Sequence, residues 1–92
     1  MLEEKVEEVS ALLKSFAHPL RLKILCLLQD QELTVGEIRE TVRTTNANVS
    51  QHLTIMRNQS IIVSRKEANL IYNRIANERI IELVDILEDL FC

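Results

Sequence analysis

Ninety-two residues make one domain. Apolar residues are 47% of it and aromatic ones only 3%, so its interior is Leu, Ile and Val. One Gly and one Pro leave little room for loops and favour helices with short connections. No apolar run is long enough to span a bilayer, and the acidic opening Met-Leu-Glu-Glu-Lys is not that of a secretory signal, so the expectation is a cytoplasmic chain whose two cysteines stay reduced. The net charge of −3 argues against a nonspecific nucleic-acid binder, but the charge is unevenly spread. Residues 1–38 carry a net −3, residues 39–74 a net +4, and residues 75–92 a net −4. A basic middle between acidic ends suggests one face for phosphate and another for something else.

Val6, Val9, Leu13 and Phe16 recur at helical spacing, which predicts a first helix over about 3–16 with a Glu-rich exposed side. Pro19 suits the first turn of a second helix, where its missing N–H costs nothing. That helix, from Pro19 to about Gln29, has Leu20, Ile24, Leu27 and Leu28 on one side and Leu22, Leu25 and Cys26 on the other. A helix apolar nearly all round is packed on two sides. Thr34-Val35-Gly36-Glu37 reads as a capping box that opens a short third helix with Val35, Ile38 and Val42 inward. Arg43-Thr44-Thr45 is then a tight turn.

The stretch 45–58 follows. Val49, Leu53 and Met56 fall on one side of a helix, while Asn46, Asn48, Ser50, Gln51, His52 and Thr54 are assigned to the other, followed by Arg57. That second side holds no carboxylate. Amides and hydroxyls that both donate and accept are what reading base edges in a major groove requires, although an ordinary polar helix face has the same composition. Short helix, turn, second helix with a polar face: residues 34–58 form a predicted helix-turn-helix.

After Ser60 the period changes to two. Residues 61–66 and 70–75 read as paired strands around Glu67-Ala68-Asn69, a predicted wing over about 61–75. Arg65 and Lys66 near its tip reach phosphate or a minor groove on one reading; on the other they guard a solvated edge against aggregation. Asn77 caps a last helix over about 77–91, whose Ile80, Ile81, Leu83, Val84, Ile86, Leu87, Leu90 and Phe91 cover more than one face. One small domain cannot bury all of these, so the helices over about 3–16 and 77–91 are predicted to form a homodimer seam.

The fold class expected from this order is mainly α with a small β-hairpin, a dimeric winged helix-turn-helix. With Phe-Ala-His-Pro-Leu-Arg-Leu-Lys-Ile-Leu at 16–25 and Val-Ser-Gln-His-Leu at 49–53, the chain resembles the ArsR/SmtB family of bacterial regulators along essentially its whole length. The resemblance implies a homodimer that binds an imperfect palindromic DNA operator and is released by an inducer. Carried onto this chain, it places Ser50, Gln51 and His52 against bases, with Thr45, Asn46 and Asn48 near the helix start and Arg65 and Lys66 on the wing. Two positions depart from the family pattern. Ser60 stands where a Gly commonly follows the recognition helix, and the wing tip has no Gly, so Asn69 is expected to take any positive φ.

Much of the family senses metal. Here the region Leu33-Thr34-Val35-Gly36 has no Cys-x-Cys, and the last helix carries Glu82, Asp85, Glu88 and Asp89 but no His. Carboxylates alone are poor zinc ligands, so no metal site and no cofactor are expected. What remains is Cys26 and Cys92. Singly, one reads as a small core hydrophobe and the other as a stray terminal thiol. Together, Ile-Leu-Cys in the second helix and a Cys closing the last one resemble the persulfide- and redox-sensing branch of the family. There two thiols form a disulfide or polysulfide bridge within a subunit in response to reactive sulfur species or oxidants. Folding is expected to bring Cys92 beside Cys26. The alternatives are a thiol-independent DNA-binding regulator or antisilencer, behind it a metal-responsive repressor, and, in another class, a dimeric protein-interaction module. No phosphate loop, nucleophile–base spacing or paired acids point to an enzyme.

Overall fold

The computed structural model describes residues 2–92. Five helices and three short strands follow one another as α1 (Glu3–Phe16), α2 (Pro19–Leu27), β1 (Leu33–Thr34), α3 (Val35–Val42), α4 (Asn46–Asn58), β2 (Ile62–Glu67), β3 (Leu70–Ile75) and α5 (Glu78–Phe91). Local chemistry sets most of the boundaries. Glu3 and Glu4 sit in the first turn of α1 and Lys14 in its last, each sign favoured by the helix dipole. His18 caps α2 by accepting the Leu20 N–H on Nδ1 at 3.1 Å, with Pro19 at the first helical position. The capping box at α3 is complete. Thr34 Oγ1 accepts from the Glu37 N–H at 3.2 Å, and the Glu37 carboxylate accepts from the Thr34 N–H at 2.9 Å. Thr45 caps α4 through the Asn48 N–H, and Asn77 caps α5 through the Ile80 N–H.

The left-handed backbone positions are Arg43 (φ 57°), which ends α3, Ser60 (φ 60°), which turns the chain out of α4, and Ala68 (φ 55°) at the hairpin tip. Ser60 thus adopts a conformation for which glycine is usual. At the wing tip the expectation is corrected: Ala68, not Asn69, takes the positive φ. Pairing of Glu67 with Leu70 leaves a two-residue turn, and that register decides which residue bends.

The sheet has one strand more than the expected hairpin. Leu33 and Thr34 pair antiparallel with Asn73 and Tyr72, giving the order β1-β3-β2. The core lies between this sheet and helices α2 to α5, centred on Ile24, Leu25, Leu28, Ile38, Val49, Leu53, Met56 and Val84, all at most 2% exposed. The terminal helices are only half used. α1 buries Ser15 and Phe16 at its end, and α5 buries Ile80 and Val84, while Val6, Leu13, Ile86, Leu90 and Phe91 stay exposed. On α2 the buried arc is Ile24, Leu25 and Leu28, so Leu22 and Cys26 face outward rather than into a second packed side.

Candidate nucleic-acid interface

α4 meets the core through Val49, Leu53 and Met56, at 0%, 1% and 0% exposure. Of the polar residues assigned to its other side, Asn46, Ser50, Gln51 and Thr54 are exposed and Asn48 is partly so. Asn48 donates from Nδ2 to Thr44 Oγ1 at 2.9 Å, which leaves its Oδ1 free of that contact. Thr45 is exposed but its hydroxyl accepts the capping bond. The open face of α4 is therefore a row of amides and hydroxyls among which no carboxylate stands.

His52 does not belong to that row. It is 8% exposed, and its ring lies against His18 of α2 with centroids 4.3 Å apart and planes tilted by 43°. Its Nδ1 is buried without a hydrogen-bond partner among the described residues. Burial, then the neighbouring His18 and the Arg21 cation, hold its pKa below the usual histidine value. A neutral His52 packing α4 onto α2 replaces the expected base-reading His52. The spacing held the signal: position 52 is three residues after Val49 and four before Met56, on the inward arc.

The cations differ in how they are held. Arg65 donates to both oxygens of Glu32 and, at 2.6 Å, to Glu67, and its guanidinium carbon lies 4.8 Å from the centre of the Tyr72 ring. These contacts hold the Glu32 pKa down and the Arg65 pKa up. Arg65 is thus partly neutralised, which its place in the sequence did not reveal. Lys66 is exposed and in no ion pair among the described residues. Arg57, at the end of α4, donates from Nε to Ser64 Oγ at 3.1 Å and from Nη2 to Asn73 Oδ1 at 3.4 Å. Ser64 and Asn73 are the residues of this region that sequence reasoning passed over. Asn73 is fully buried, a polar side chain in a strand whose neighbours point to packing.

The two cysteines are free thiols and both are exposed. The expectation that folding sets Cys92 beside Cys26 is not met at bonding distance: the two thiols are separate, although Cys92 is near enough to act on Cys26 through its charge. Partial desolvation of the Cys26 sulfur, then the Glu88 carboxylate and Cys92, push its pKa up. Among the described residues no group of three or more His, Cys, Asp or Glu is arranged to hold a metal, and no helix is long and apolar enough to cross a membrane.

A helix-turn-helix with an uncharged polar face, followed by a basic two-stranded wing, defines a winged-helix DNA-binding protein. Residues 18–64 match the family model described as bacterial regulatory protein, arsR family. The chain is 35% identical over 91 residues to the biofilm growth-associated repressor of Agrobacterium fabrum, covering 99% of this chain and 78% of that protein. Its fold superposes on HlyU from Vibrio cholerae N16961 with a TM-score of 0.95 at 32% identity, covering 99% of each chain. The transcriptional repressor BigR from Xylella fastidiosa gives 0.86 at 32% identity over 98% of this chain and 89% of that one. This chain belongs to the ArsR family of DNA-binding transcriptional regulators; it is not an enzyme.

Proposed function

We propose that the chain works as a homodimer that reads a palindromic operator through α4 and the wing. The polar residues in contact with DNA are Thr45, Asn46, Asn48, Ser50, Gln51, Arg57 and Lys66, with Arg65 at reduced charge. The observation that carries this is the exposed carboxylate-free row on α4, in a chain whose total charge is negative. The dimer reading rests on the apolar residues left open on α1 and α5. In a selection from random duplexes, the wild-type chain enriches an inverted repeat. Failure to enrich any duplex overturns the reading.

We further propose that thiol chemistry switches this binding through Cys26 and Cys92, in response to reactive sulfur species or oxidants. Both thiols are accessible, and they sit on α2 and at the end of α5, two helices that pack together. With an organic persulfide, one thiolate takes the outer sulfur and releases the parent thiol. The other thiolate then attacks the sulfur bonded to the protein, closing a disulfide and expelling hydrosulfide; where a second persulfide has first loaded that other thiol, its outer sulfur makes the same attack, closing a trisulfide and again expelling hydrosulfide. Closure needs the last turn of α5 to move toward α2, and that movement is what the dimer seam would register. Mass spectrometry after polysulfide treatment tests it. The expected species joins Cys26 to Cys92, and its absence, or an undiminished response of operator binding in Cys26→Ser, overturns it.

The separation of the two thiols favours a second reading, a thiol-independent regulator of the same fold. Equal operator affinity with and without reductant supports that alternative.

A further inference from the structure

Two arginines near the wing are fixed by neighbours, and the chemistry of those neighbours differs. Arg65 is held by carboxylates, Glu32 and Glu67, which cancel its charge as they orient it. Arg57 is held by a hydroxyl and an amide, which orient it and leave its charge whole. Among the described residues Arg57 has no ion pair, and its Nη1 has no intramolecular partner.

The clamp is itself anchored. Asn73 Nδ2 donates to the Leu33 carbonyl at 3.1 Å, which fixes the amide so that Oδ1 faces the donors. Ser64 Oγ donates to that Oδ1 at 2.7 Å. Asn73 stands opposite Ser64 in β2 and opposite Leu33 in β1, so both pairings run through one buried residue of the central strand. A fully buried polar side chain with each of its groups satisfied specifies one arrangement, because any other leaves polar atoms unpaired. Here it joins the end of α4 to β1 and both wing strands.

We propose that Ser64 and Asn73 are positioning residues for DNA binding, presenting Arg57 as a rigid, fully charged phosphate contact at the joint between α4 and the wing. This rests on the DNA-contact reading of α4. A flexible arginine loses rotamer freedom when it meets a phosphate; one already fixed by neutral partners avoids most of that loss, which is a factor of about three to ten in affinity. Each phosphate neutralised also changes the slope of log K against log salt by about 0.9.

The test uses a fluorescent duplex that the wild-type chain has selected from a random pool, titrated at several salt concentrations. Arg57→Ala is expected to flatten the salt slope by about one contact per subunit. Ser64→Ala is expected to weaken binding by about three- to tenfold with the slope kept, and to cost nothing further in an Arg57→Ala background. Ser64 is exposed, so its replacement leaves the fold intact. A Ser64→Ala variant that binds like wild type overturns the proposal. So does one whose loss persists undiminished without Arg57, since that marks a merely structural effect. If the wild-type chain selects no duplex, the DNA-contact reading itself falls, and the positioning role with it.

Discussion

Lowering the pH should loosen the recognition helix from its support, and His52 sets where this begins. His18 accepts the Leu20 N–H on Nδ1, so its ring must keep that lone pair free of a proton for α2 to stay capped. His52 lies against it, and Arg21 is the other charged group that raises the cost of a proton there. The folded-state pKa of His52 therefore lies below the free value of 6.5. As pH falls through 6.5 the unfolded chain takes its proton first. The contribution is whole above 6.5 and drains away from there down to the folded value. One proton amounts to at most about 1.4 kcal/mol per pH unit, and 1 kcal/mol moves the Tm of a domain this size by about 4–8 °C. Thermal unfolding at fixed protein concentration, from pH 8 down to 5, measures the slope. His52→Gln does not titrate, so its curve should be shallower than the wild type's below 6.5, by no more than one proton. Glu32, held low by Arg65, adds its own loss only as pH falls below 4.5, outside that window. Parallel wild-type and His52→Gln slopes would refute the assignment.

Three further outcomes follow from particular contacts. Ala68→Gly relieves a left-handed φ of 55° at the wing tip and should raise stability by about 1 kcal/mol, read as a higher Tm; an unchanged or lower Tm contradicts the strain. Glu88→Gln removes a carboxylate that pushes the Cys26 pKa up, so alkylation of Cys26 at neutral pH should quicken, as timed by mass spectrometry in a Cys92→Ser background. Leu13→Glu combined with Ile86→Glu, at positions 51% and 49% exposed, should leave the subunit folded but convert a dimer to monomer in light scattering; an unchanged mass would send the seam elsewhere.

What could be read from the sequence was mostly what is decided within a few residues. Pro19, the Thr34–Glu37 box and Asn77 announce helix starts because capping needs only neighbours along the chain. The fold class followed from their order. His52 is polar by type but inward by spacing: position 52 falls between Val49 and Met56 on the inward arc, and the residue type alone points the other way. A second ring supplied by α2 makes its burial tolerable, and no local pattern announces that partner. β1 was missed because two residues make no period. The clamp at Asn73 was missed because an amide inside a strand gains meaning only from Leu33, Ser64 and Arg57, up to 40 residues away. The separation of Cys26 from Cys92 is likewise a tertiary distance that no spacing along the chain contains.

The attachments of α4 bear on how any switch would have to work. His52 packs its middle on α2, Arg57 ties its end to the wing, and Gln59 just beyond it accepts from Ser15 at the end of α1. Gln29, just after α2, donates to Asp85 of α5. Within one subunit, then, α4 cannot tilt without disturbing a ring contact to His18 and polar contacts to the wing and to α1 at once. The weak boundary is elsewhere, at the apolar residues that α1 and α5 leave uncovered. A bridge between α2 and the end of α5 would therefore act most cheaply by rotating whole subunits about that seam, which changes the spacing of two rigid α4 helices. A tenfold loss of operator affinity requires only about 1.4 kcal/mol of difference between the two dimer arrangements. That is comparable to one buried hydrogen bond and less than the cost of freeing α4 from its support. Amide exchange in α4 should therefore stay unchanged when the thiols react, while exchange at the exposed ends of α1 and α5 shifts. Faster exchange in α4 itself would locate the switch inside the subunit.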